Sequence, residues 1–185
     1  MDPLPHLLDQ RLVGRVAFVG IGNPDLGDDA AGLHLAARLS RSLPPPHAVY
    51  SGGTTPERCV RALREERFST VVLLDAAEFN APPGTVAWFE SQEFQSRFPA
   101  VSTHKIPLAL LARLIAEGSS CRISLLGIQP GSLRPGSGLS PVVATTVECL
   151  EALVLDELQD RWTPSTAESR SPGSPTSKPR ELECR

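Results

Sequence analysis

Long apolar runs are missing from this chain: no segment approaches the roughly 20 residues that a membrane-spanning helix requires. The opening stretch, MDPLPHLLDQRLVGR, has neither the basic start nor the apolar centre of a secretory signal. These two absences predict a cytoplasmic protein without a membrane partner. Positive charge is not in surplus either. Eighteen Lys and Arg face 21 Asp and Glu, a formal net charge of -3, so nucleic acid meets no general electrostatic attraction. The four cysteines, Cys59, Cys121, Cys149 and Cys184, show no CxxC pair or other ligand spacing. Zinc and thiol-redox motifs are therefore excluded, and four reduced thiols are expected. No GxSxG occurs, which removes the nucleophile elbow of serine hydrolases. A protein or small-molecule partner is what remains.

What is present is an alternation of strand-like and helix-like segments. RVAFVG (15–20) is a short β-rich run ending in glycine, and Leu35, Leu39 and Leu43 follow at helical spacing. HAVYSGGT (47–54) reads as a second strand, and PERCVRALREERF opens a helix with proline in its first turn. STVVLLDA (69–76) is a continuous apolar run, the mark of a strand covered on both faces. PPGTVAWFE then suggests an added strand, PLALLARLIAEG a helix and CRISLLGIQP another buried strand. In SPVVATTVECLEALVLDELQ, Val143, Val147, Leu150, Val154 and Leu158 recur every three or four residues, predicting a final amphipathic helix.

With 41% hydrophobic and 21% charged residues over 185 positions, this pattern suits one domain. The expected fold is a three-layer α/β/α arrangement around a mainly parallel twisted sheet of about five strands. An N-terminal extension covers 1–14, the folded domain 15–162, and a Pro/Ser-rich tail 163–185 too poor in apolar residues to order itself.

The turn GIGNPDLGDDAAG (20–32) begins like a dinucleotide-binding fingerprint and departs from it. The third glycine of GxGxxG falls on Asp25, and the second strand ends without the acidic residue that would hold a ribose. Asp28 and Asp29 would also repel a phosphate at this helix start. One of the pair suits a helix cap or first-turn position. In an open parallel sheet the ligand crevice lies beyond the carboxyl ends of the strands. That rule selects Asp29 after the first strand, Asp75 at the end of VVLLD, and His104 in the loop VSTHKIPL. Two carboxylates and an imidazole suit a divalent transition metal with open coordination positions; a hydrogen-bonded turn residue and an exposed loop histidine are the structural alternatives. His6, His34 and His47 fit surface positions and receive no role.

Five segments in order, GIGNPDLGDDAAG, SGGTTPE, LLDAAEF, STHKIPL and LGIQPGSL, resemble the nickel-iron hydrogenase maturation endopeptidases, above all the branch serving formate-hydrogenlyase-type hydrogenase. The resemblance implies an α/β/α, phosphorylase/hydrolase-like fold and a cytosolic protease. Such an enzyme removes a C-terminal extension from the hydrogenase large-subunit precursor after nickel insertion. Carried onto this chain, the family's metal-contacting and catalytic positions are Asp29, Asp75 and His104. The resemblance also implies that the chain has no metal cofactor of its own, the nickel being held by the precursor; a monomer is expected. Gly52, Gly53 and Thr54 of SGGTTPE are expected in the substrate cleft. Ala30 stands where many members have glycine. A nickel-binding assembly chaperone that holds the precursor without cutting it is the alternative.

Overall fold

The computed structural model describes residues 4–97, 106–161 and 181–183. Its centre is a parallel sheet whose strands are apolar on both faces because helices cover both faces. Strand β1 (Val16–Ile21) is followed by a 3-10 turn (Gly27–Ala30) and helix α2 (Ala31–Leu39); helix α1 (Leu4–Arg11) precedes them. Strand β2 (Ala48–Gly53) leads through a second 3-10 turn (Pro56–Cys59) to α3 (Val60–Glu66). Then come β3 (Thr70–Ala76), β4 (Val86–Glu90), the short helix α4 (Phe94–Arg97), α5 (Leu108–Ala116), β5 (Arg122–Ile128) and α6 (Pro141–Arg161).

The sheet order is β4-β5-β3-β1-β2, continued by β6 (Glu181–Glu183) at the β2 edge. All neighbours are parallel except β4, which runs antiparallel to β5. Five strands match the expected sheet. The sixth comes from within the segment expected to lack order, pairing Leu182 with Tyr50 in register; the rest of that tail lies outside the described residues.

The period-two alternation of the strands divides their side chains between two cores. Val16, Phe18, Val72 and Leu74 face α1, α2 and α6, whereas Ala17, Val19, Val71 and Leu73 face α3 and α5. Helix α6 buries Val143, Val147, Leu150, Val154 and Leu158, the stripe its spacing predicted. Each such side chain contributes about 1.5–3 kcal/mol when fully buried. The N-terminal extension is part of this core: Leu8 and Leu12 are buried beneath α6.

Cys121 and Cys149 are free thiols, but Cys59 is disulfide-bonded, against the expectation of four reduced thiols. Pairing depends on spatial proximity that spacing along the chain does not display. His47 also departs from its expected surface position. It is half-buried, and its Nδ1 accepts a 3.1 Å hydrogen bond from the Val16 amide at the start of β1. Burial, and secondarily the Arg15 guanidinium, hold its imidazole below the ordinary histidine value.

Candidate active site

Strand β1 has β2 on one side and β3 on the other, and the helices that follow β1 and β3, α2 and α5, pack on opposite faces of the sheet. Such a topological switch opens a crevice at the carboxyl ends of the strands. Asp29 lies in the 3-10 turn that follows β1, and Asp75 near the end of β3, the adjacent strand. Both are only 3% exposed. The Asp29 carboxylate accepts a 2.7 Å bond from the Asn23 amide, which fixes the turn that carries it. Asp75 stands opposite Gly127 of β5.

The close approach that brings these elements together depends on Gly32. A methyl group built at this position would sit 2.0 Å from the Leu74 carbonyl oxygen and 2.6 Å from that of Ile21. Helix α2 can therefore start directly over the ends of β1 and β3 only because its second residue has no side chain.

Two of the three predicted metal-contacting residues are thus at one sheet edge. His104 lies outside the described residues. Among the described residues no three His, Cys, Asp or Glu side chains are clustered to hold a metal ion. No described helix is long and apolar enough to cross a membrane.

The predicted cleft residues flank the same edge. The Gly22 amide, in the turn before Asp29, donates to the Gly53 carbonyl at 3.1 Å. Gly53 adopts φ +55°, in the left-handed region that favours glycine, with open space where a side chain would stand. Gly52 is buried, and a methyl group added there would press on Pro56 at 3.0 Å and the Gly20 carbonyl at 3.1 Å; Thr54 is exposed.

Asp28 does not cap a helix. Neither the 3-10 turn nor α2 has a side-chain cap bond. Its carboxylate instead receives the backbone amides of Gly131, Ser132 and Ser140 at 2.8, 2.8 and 2.6 Å and the Ser140 hydroxyl at 2.9 Å. Donors more than 100 residues away in sequence, brought across the crevice by β5, displace the local ones. Burial raises the carboxyl's pKa, but these hydrogen bonds outweigh it and leave the group below its ordinary value.

Gln129, buried at the end of β5, was another unassigned member of GIQPGSL. Its Oε1 accepts the amides of Phe79 and Ala81, and its Nε2 donates to Glu78, joining the loop after β3 to the end of β5. The signal was a polar side chain closing an apolar strand; its partners were invisible.

Known proteins share this fold. A family model described as hydrogenase maturation protease matches residues 33–157. The Hydrogenase 3 maturation protease of Escherichia coli (strain K12) is 31% identical over 110 residues, 60% of this chain and 69% of that protein. Among solved structures, the NiFe hydrogenase maturation protease HycI from Thermococcus kodakarensis KOD1 superposes with a TM-score of 0.76 at 31% identity, covering 83% of this chain and 99% of that one. The hydrogenase maturating endopeptidase HybD from Escherichia coli gives a TM-score of 0.68 at 25% identity, covering 80% and 94%. The matched span contains Asp75, the GIQP segment and five of the six helices or parts of them. This chain therefore belongs to the hydrogenase maturation protease family and is a peptidase.

Proposed function

We propose that the protein cleaves the C-terminal extension from a nickel-loaded hydrogenase large-subunit precursor, using the precursor's own nickel as the signal that the substrate is ready. The observation that carries this reading is the pair of buried carboxylates, Asp29 and Asp75, at the carboxyl ends of adjacent strands beside an open glycine edge. Hard anionic oxygens at the carboxyl ends of the strands suit a cation presented by a partner, and His104 supplies the imidazole that completes the set. The chain needs no resident metal, because the precursor's cysteines bring the nickel. Gly52, Gly53 and Thr54 border the path of the extended peptide.

Anchoring the metal places the scissile bond, which turns a bimolecular encounter into a positioned hydrolysis. Water adds to the scissile carbonyl, the carbon–nitrogen bond breaks, and the leaving amine takes a proton. A precursor without nickel lacks the anchor, so discrimination arises from positioning. The reaction takes place in the cytoplasm, with a monomeric enzyme.

The test incubates the purified chain with a cognate large-subunit precursor, with and without inserted nickel, and follows C-terminal truncation by intact mass. Cleavage of the loaded form alone is expected. Equal cleavage of both forms overturns nickel recognition, and binding without cleavage of either identifies a holding protein instead.

A further inference from the structure

Residues 131–138 are exposed, lack regular secondary structure and include three glycines and one proline. Segments of that kind ordinarily open readily, having few buried contacts to hold them. Here the path is tied at both ends to one side chain. The Asp28 Oδ2 accepts the amides of Gly131 and Ser132 and the Ser140 hydroxyl, while Oδ1 accepts the Ser140 amide. Two backbone bonds reinforce the contact: the Asp28 amide donates to the Ser132 carbonyl at 2.8 Å, and the Gly136 amide to the Asp25 carbonyl at 2.9 Å. The segment also lies flush on Gly27, where an added methyl would come within 2.5 Å of the Ser132 carbonyl.

A carboxylate with no exposure that accepts four hydrogen bonds is a fully satisfied anion, and such charge-assisted bonds are strong and directional. It is also the immediate neighbour of Asp29. One short turn thus carries a carboxylate for the crevice and another for the segment bordering it.

We infer that Asp28 is a positioning residue: it holds residues 131–140 as a preformed wall of the peptide cleft, on which the exposed Leu133 and Arg134 meet the precursor's extended C-terminal segment. This rests on the reading of the β1/β3 edge as the cleavage site. Without the pin, the wall would have to be ordered each time a precursor binds, and affinity would fall by the entropy of that ordering.

The experiment compares the full chain with Asp28→Asn and Ser140→Ala in three readouts: amide hydrogen exchange, affinity for a nickel-loaded large-subunit precursor, and the kcat and KM of its truncation. Asparagine keeps the shape but turns an N–H group toward donors that need an acceptor. Exchange across 131–140 in Asp28→Asn should quicken about a hundredfold while the strands stay protected. Affinity should weaken and KM rise about tenfold or more, with kcat within about threefold of the parent. Ser140→Ala, losing one bond, should move every readout the same way by less.

Unchanged exchange in Asp28→Asn, or loosened exchange with unchanged affinity and KM, overturns the inference. A fall in kcat alone also overturns it, since Asp28 would then act on the chemistry. If Asp28→Asn does not fold, Ser140→Ala decides by the same criteria. A parent chain that binds precursor but never cuts it refutes the cleavage-site reading, and exchange and affinity still judge the wall.

Discussion

The two ends of the parallel sheet handle charge in opposite ways. At the carboxyl ends of β1 and β3, three aspartates lie within the protein, none more than 3% exposed. At the amino ends, arginines gather at the surface: Arg64, Arg67 and Arg122 line a cavity of about 720 Å³ together with Ser69, Glu117 and Cys121. Its cations are solvated, and Arg64 already pairs with Glu117 at 2.8 Å. Arg15, nearby, pairs with Glu66 and lies over the Phe68 ring, 4.4 Å from its centroid. Exposed pairs contribute little, whereas a carboxylate withdrawn from water is retained only where its surroundings repay the desolvation. Burial of charge is what sets the carboxyl end apart from the amino end.

The contrast is broken most directly by Asp29→Asn. On the function proposed above, in which Asp29 anchors the metal that positions the scissile bond, truncation of a nickel-loaded precursor, followed by intact mass, should fall about a hundredfold or more. The melting temperature should stay close to the parent's. Undiminished cleavage would mean that the buried carboxyl end is structural too. Gly32→Ala probes the packing that creates this end. Its methyl group collides with backbone at Leu74 and Ile21, not with a side chain able to swing away. A loss of about 3 kcal/mol is expected, or roughly 10 °C in melting temperature.

At the amino end, His47 should make stability pH-dependent. Its folded-state pKa is depressed, so between that value and the ordinary 6.5 the unfolded chain binds the extra proton. Stability is therefore full above pH 6.5, falls as the pH drops through that value toward the folded pKa, and then levels off. The loss comes from charging a half-buried ring beside the Arg15 guanidinium. Denaturant midpoints at pH 7.5 and 5 will show it, and His47→Gln should flatten the slope. The smallest effect belongs to Glu117→Gln. Both side chains of its ion pair are well exposed, at 66% and 42%, so its removal should change stability by no more than about 0.5 kcal/mol.

Much of the architecture was legible because periodicity is a local property. The stripe of α6 and the unbroken apolar run of β3 each state their surroundings through spacing alone. Asp29 and Asp75 were legible for a different reason: the alternation of strands and helices puts their positions at one sheet edge whatever the details of packing. Asp28 shows where that logic stops. As a residue before a helix it reads as a cap, and nothing nearby in the chain names Gly131, Ser132 and Ser140 as its donors. The Cys59 disulfide and the His47–Val16 bond were hidden in the same way. His104 lies outside the described residues, so its place beside the aspartates rests on the resemblance.

By itself, then, the sequence determined the order and type of the main elements, the strand edge that bears the two buried aspartates, and a family resemblance that the comparisons bear out. Those features follow from spacing and from the chirality and connectivity rules of parallel sheets. Only the tertiary structure decided that Asp28, the neighbour of Asp29, pins the segment after β5 in place of capping a helix. Hydrogen bonds between residues more than 100 positions apart depend on angles and distances fixed by packing, and a one-dimensional pattern carries neither.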